Sequence, residues 1–186
     1  MTANPRLPLQ TIISSAVDAT GAVAGWILAV NDAELVIVAA AGGDPRWAAS
    51  LLDRRASLDS GTASFVIRSG QPVALQPGTG SMNDELGTEL LGRVPSSLVC
   101  VPCTADEQPL GALQLVDKFG GGPFSFDDVE VATLVGTIAG AVLTEDAGGP
   151  QTVPPPERLA SALANLSKVN PGRYAAVALA LEALLA

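Results

Sequence analysis

Histidine is missing from the chain altogether. Its absence excludes a histidine-ligated haem, a Ser-His-Asp or Cys-His couple, a phosphoacceptor histidine and the usual nitrogen-ligand metal sites. Cysteine is nearly as scarce, and Cys100 with Cys103 offers a zinc ion too few soft ligands. The two lie three apart on a strand-like run, so their side chains face opposite sides and do not readily pair. A reduced, cytoplasmic protein is the simplest expectation. Cations are few as well: ten Lys plus Arg against nineteen Asp plus Glu leave a net charge of −9 and no basic footprint for nucleic acid or anionic lipid. No apolar run approaches the roughly 18 to 20 residues of a membrane span, and no basic-then-apolar start marks a secretory leader. What the chain does have is bulk. With 48% hydrophobic residues over 186 positions it can bury a full core without staples. Its Ala- and Gly-rich usage, with Arg favoured over Lys, fits a high-GC bacterial genome.

The chain is organised around Ser96 to Leu143. Two apolar runs, Ser97 to Cys103 and Leu110 to Asp117, flank a polar Thr-Ala-Asp-Glu-Gln-Pro break and have the length and Val/Leu content of buried strands, which predicts a β-hairpin. After the glycines 120 to 122, Phe124-Ser125-Phe126-Asp127-Asp128-Val129 carries the marks of a helix start. Ser125 is the N-cap, Asp128 its partner three residues on, and Phe124 is placed to staple onto Val129. Val131, Leu134, Val135, Ile138 and Val142 continue at helical spacing.

A strand, a turn, a strand ending in Val116-Asp117-Lys118, a variable loop and then Pro-Phe-Ser-x-x-Asp opening a long helix resemble the second half of a GAF domain. The likeness extends over roughly Leu9 to Glu145. It implies an α+β fold with a central antiparallel sheet and helices packed on it, a sensory or regulatory role, and commonly a small-molecule pocket. Some members bind cyclic nucleotides and carry Asn-Lys, then Phe, then Asp-Glu. Here the corresponding residues are Asp117-Lys118, Phe124 and Asp128-Val129, so the Lys118 and Asp128 partners that would lock loop to helix remain while two other positions depart.

The rest of the chain agrees. Leu9 to Ala19 reads as an amphipathic helix, and Gly25 to Val30 with Glu34 to Ala40 as a hairpin turning at Asn31-Asp32, with Trp26 its largest side chain. Short helices are expected at Pro45 to Leu52 and at Gly61 to Ser69, the second stopped by Gly70. A short strand at Pro72 to Leu75, a loop to Ser81 and a helix from Met82 to Leu91 follow; in the family this loop and helix form the lid of the pocket. From Ala147 the text turns to Gly, Pro, Gln and Thr, a stiff connector. The expected division is a GAF-like domain at 1–146, a linker at 147–156 and a C-terminal helical pair at 157–186. Leu159, Leu163 and Leu166, then Val177, Leu181 and Leu184, make stripes on two helices too short to stand alone. They are expected to be an interaction element, pairing across a dimer or docking a partner, in contrast to an intramolecular cap.

No residue is read as catalytic, no metal or cofactor is expected, and the ligand is left unnamed. Gln114, the one polar residue inside its strand, needs a neighbouring backbone edge or lines a pocket. Cys100, Ser81, Asn83 and Asp84 are the other candidate ligand contacts. Asp127 and Asp128, adjacent in a helix's first turn with no sign of burial, are not read as an acid–base pair. The Cys100-Val-Pro-Cys103 spacing resembles a redox C-x-x-C, but a strand containing Pro102 does not lower a thiol pKa. The expected function is a non-enzymatic GAF-type regulatory module, acting as a homodimer or as the sensor subunit of a larger system. Its rivals are an enzyme resembling the GAF-type reductases of free methionine sulfoxide, and a scaffold whose pocket has collapsed.

Overall fold

The computed structural model describes residues 6–76, 85–146 and 156–185. In chain order the elements are α1 (Arg6–Thr20), β1 (Ala22–Asn31), β2 (Glu34–Gly42), α2 (Pro45–Leu51), β3 (Arg55–Ser57), α3 (Gly61–Ser69), β4 (Val73–Leu75) and α4 (Glu85–Leu91). They continue as β5 (Leu98–Ala105), β6 (Gln108–Lys118), α5 (Phe126–Asp146), α6 (Pro156–Val169) and α7 (Pro171–Leu185). The strands form one antiparallel sheet in the order β3-β2-β1-β6-β5-β4.

Because strand side chains alternate, each central strand feeds two cores. Ile27, Val99, Val101, Cys103, Leu113 and Leu115 face a first core, which α1, α5 and α7 complete. Trp26, Leu28, Leu98, Cys100, Ala112 and Val116 face a second, covered by α2, α3 and α4. The cysteines thus lie on opposite faces, both as free thiols. On α1, Leu9, Ile12, Ile13, Ala16 and Val17 are all buried, as their spacing predicts.

Two local features differ from the sequence reading. The strand β3 has no apolar run to announce it; its pairing with Glu34–Val36 of β2 makes it a strand. The core hairpin is tighter than its polar break suggests. Strands run into the break from both sides until only Asp106 and Glu107 turn the chain, both at positive φ (51° and 62°), as a two-residue hairpin turn requires. Pro102, lacking an N–H, is tolerated in β5 because β4 pairs only with Leu98–Cys100, leaving the outer side beyond it without a strand neighbour. Over that stretch α5 comes very close: a Cβ on Gly140 would lie 2.3 Å from the Thr104 carbonyl oxygen.

The C-terminal pair also departs from expectation. Val177 of α7 has no solvent exposure and belongs to the first core, with Leu163 and Leu166 of α6 packed against the same cluster. These three side chains therefore pack on the body in cis, where pairing across a dimer or docking on a partner was expected, because short apolar helices gain most from the nearest available apolar face, here that of α1. The side chains of Leu159, Leu181 and Leu184 lie outside the described residues. Pro171 starts α7 a little before the expected Arg173, with the Asn170 side chain accepting from the Arg173 amide (3.2 Å).

Candidate functional site

Two places draw together the residues singled out in the sequence. The first is the sheet face beneath α3 and α4, where Trp26, Gln114 and Cys100 sit side by side on β1, β6 and β5 through the pairings Trp26↔Gln114 and Gln114↔Cys100. None of the three has any solvent exposure. The Trp26 indole Nε1 donates to Gln114 Oε1 at 3.2 Å, so the oxygen of the buried amide is answered by a side chain. Around this pair lie Leu28, Ile37, Val66 and Leu90. Trp47 of α2 reaches across to donate to the Leu90 carbonyl of α4 (3.4 Å), tying two of the covering helices together. Among the described residues, Trp26, Gln114 and Cys100 lie buried on this sheet face beneath α3 and α4. Ser81, Asn83 and Asp84, the expected lid contacts, lie outside the described residues.

The second place is the junction of β6 with α5. Asp117 is nearly buried and has φ of 56°, a left-handed conformation that Asp and Asn adopt more readily than most residues. Its carboxylate accepts from the Ser96 amide (2.6 Å), the Ser96 hydroxyl (2.8 Å) and Arg93 Nη2 (2.5 Å). Burial would push this carboxyl up, but the hydrogen bonds from Arg93 and Ser96 outweigh it and hold it below its ordinary value. The Lys118 amide donates to the Ser97 hydroxyl (3.0 Å), and Lys118 Nζ lies 5.7 Å from the Phe124 ring centroid while pairing with Asp128.

Asp128 is the hub, and its burial corrects the sequence reading: it has no solvent exposure, whereas Asp127 is exposed. Its Oδ2 accepts from Lys118 Nζ, the Ser125 amide (2.7 Å) and the Ser125 hydroxyl (2.8 Å), while its own amide donates to Ser125 Oγ (3.2 Å). Both halves of the capping box are therefore made. Phe124 is buried in the first core, and Val129 packs against that cluster, as a staple requires. Its other oxygen, Oδ1, accepts from Arg173 Nη2 of α7 at 2.5 Å. Burial alone would raise the Asp128 carboxyl, yet the bonds from Lys118 and Ser125 and the Arg173 charge overcome it and lower its pKa. Arg173 and Arg93 escaped the sequence reading. Arg173 left a faint signal, as a cation in a helix's first turn, where the macrodipole disfavours it unless a carboxylate lies near.

Chemically the junction is a structural tie. Among the described residues every buried side-chain N or O has a partner, and no cluster of three or more Cys, Asp or Glu side chains could hold a metal ion. Cys103 is fully buried, and burial pushes its thiol well above the usual range, away from the thiolate that thiol chemistry requires. A cleft of about 280 Å³ opens at the β2 edge between α1 and α2, where Gln10 Nε2 donates to the Ala40 carbonyl (2.7 Å), and it is lined mostly by small residues.

Fold and site together define an α+β domain of one six-stranded antiparallel sheet with helices on both faces, closed at one corner by a strand-loop-helix ion cluster. The sequence model of the GAF domain matches residues 8–144, and the chain belongs to the GAF domain family. Solved structures agree on the fold. The GAF-B domain of DevS from Mycobacterium smegmatis is 21% identical, with a TM-score of 0.59 over 78% of this chain and 96% of that one. A GAF domain/HD domain protein from Geobacter sulfurreducens is 13% identical, with a TM-score of 0.62 over 76% and 93%. A type II free methionine-R-sulfoxide reductase from Thermoplasma acidophilum is 14% identical, with a TM-score of 0.55 over 76% and 93%. No curated protein matches the sequence.

Proposed function

We propose that the protein is a non-enzymatic regulatory GAF module that works by contact with another polypeptide, its inner sheet face serving as a packed core in place of a ligand chamber. One observation carries this reading: Trp26, hydrogen-bonded to Gln114 and without solvent exposure, occupies the sheet face beneath α3 and α4. A small molecule entering there would have to displace an indole and leave the Gln114 amide to be answered again, which opposes binding. The buried thiols on opposite sheet faces support the non-enzymatic half of the reading, since neither is placed to attack a sulfoxide and be resolved by the other. Free cysteines also suit a reducing compartment, and no described helix is long and apolar enough to cross a membrane.

Native mass spectrometry of freshly purified protein tests the first half, with the bare chain mass as the expected result and a retained small molecule as the result that overturns it. For the second half, Cys100 and Cys103 are expected to resist alkylation in the native state. A free-methionine sulfoxide reductase activity lost in Cys100→Ser or Cys103→Ala would favour the enzyme instead.

A further inference from the structure

Of the three phenyl rings between the end of β6 and the first turn of α5, only Phe124 goes into the core. Phe119 is 84% exposed and Phe126 76%. Between them glycines 120, 121 and 122 all have positive φ, and a Cβ on any of the three would meet no atom within 4 Å, so no described side chain covers this part of the loop. Its ends are nevertheless fixed. The Phe119 amide donates to the Gly21 carbonyl (2.7 Å) and the Gly121 amide to the Lys118 carbonyl (2.9 Å), while Lys118 ties the strand end to Asp128, two residues beyond Phe126. The bare rings thus stand on a fixed frame, which lowers the ordering cost of binding. The charges about them are of one sign. Glu130 is four residues from Phe126, hence beside it on α5, and Asp127 adjoins it; both are exposed. Asp18, also exposed, lies in the turn that holds Phe119, its carbonyl accepting from the Gly21 amide (3.3 Å). In the last turn of α1 a carboxylate opposes the helix dipole, so Asp18 does nothing for its own helix. None of these three carboxylates makes an ion pair among the described residues. Lys118, Arg173 and Arg93, which stand at the same junction, are engaged by Asp128 and Asp117.

From this we infer that the loop joining β6 to α5 is a docking surface for a segment of another polypeptide that carries apolar side chains with Lys or Arg beside them. The apolar side chains cover Phe119 and Phe126. The cations answer Asp18, Asp127 and Glu130, and are attracted to the faces of the same rings. The inference rests on the contact-acting reading above and gives that partner its chemistry. Charge disfavours two other occupants. An anionic lipid surface is repelled by three unpaired carboxylates. A second copy of this chain, with its net charge of −9, would bring the same acidic patch against its own in a two-fold contact.

The probe is a fluorescent peptide in which Leu and Lys repeat at helical spacing, titrated with the full chain and read by anisotropy, with isotope-labelled protein locating the site by chemical-shift mapping. Saturable binding is expected, with shifts centred on Phe119 to Glu130 and on Asp18 to Gly21. Phe119→Ser with Phe126→Ser is expected to weaken it about tenfold or more, and Asp18→Asn with Glu130→Gln about threefold or more. Melting temperatures should stay unchanged, since all four side chains are exposed. Asp32→Asn with Asp106→Asn removes the same charge from exposed turns at the opposite end of the sheet and is expected to leave the affinity as it is. The inference is overturned by no saturable binding up to about 1 mM, by a far-end pair that weakens binding as much as Asp18→Asn with Glu130→Gln, or by equal binding of a Leu-Glu peptide. It is overturned equally by sedimentation with phosphatidylcholine vesicles, or by a wild-type dimer, that the phenylalanine double variant abolishes, since these would make the occupant a membrane or a second copy. A small molecule retained in native mass spectrometry would count against the contact-acting reading alone, leaving the peptide titration to decide the docking surface.

Discussion

At position 128 a carboxylate without solvent exposure holds cations from two separate segments, Lys118 and Arg173, and caps its own helix through Ser125. Its pKa and that of Asp117 lie below their ordinary values in the folded chain. A carboxyl depressed in this way adds stability that is fully present above the unfolded value of about 3.9 and is lost as pH falls through the lower folded value. The protein is therefore expected to hold its stability at neutral pH and lose it below about pH 4. By the same reasoning Asp128→Asn should cost more at pH 7 than at pH 3 in urea unfolding, and equal deficits at the two values would contradict it. Inside the second core the Trp26–Gln114 pair makes a sharper test. Gln114→Leu strands the indole N–H and is expected to destabilise by about 1–3 kcal/mol in urea unfolding. A neutral Gln114→Leu would show that the indole does not depend on this bond.

Among the elements, α5 depends most on single positions, since its start and its flank are both specified by small residues. Ser125→Ala removes the hydroxyl that accepts from the Asp128 amide and is expected to lower stability by roughly 1 kcal/mol, with no change of mass in solution. A neutral result in urea would move the helix start elsewhere. Further along, α5 lies against β5 with no room for a methyl at Gly140, where the clash is with strand backbone that cannot swing aside. Gly140→Ala raises helix propensity yet is expected to destabilise by about 1–3 kcal/mol, the range for overpacking. Calorimetry that shows the variant more stable than wild type would mean the two elements are farther apart than the structure places them.

For the molecule as a whole, the C-terminal pair decides how the body is completed. Truncation after Thr144 removes Val177 from the first core and leaves Asp128 Oδ1 facing the vacated seat. Losing the burial of one Val together with a buried charge-assisted bond amounts to about 3 kcal/mol or more, on the order of 5–10 °C in Tm for a chain of this length. The truncated chain is expected to melt correspondingly lower and to aggregate on heating. A truncated body that keeps its wild-type Tm and mass would show that the helices contribute nothing to it.

The hairpin of β5 and β6, the capped start of α5, the stop of α3 at Gly70 and the buried stripe of α1 were all legible in the sequence, because each is set by residues within a few positions of one another: alternation, a Ser-x-x-Asp box, a left-handed glycine, a helical period. The family was legible for the same reason, since its signature is a run of such local marks. What the tertiary structure alone decided are pairings across long stretches of chain. Strand β3 exists only because β2 offers it an edge, and Trp26 meets Gln114 only because β1 lies beside β6. Asp128 read as a helix cap and became a buried hub when Arg173, 45 residues away, was brought to it. Sequence spacing fixes which side chains share a face; which faces meet, and hence whether the tail closes on its own body, depends on the competition among apolar surfaces that only folding resolves.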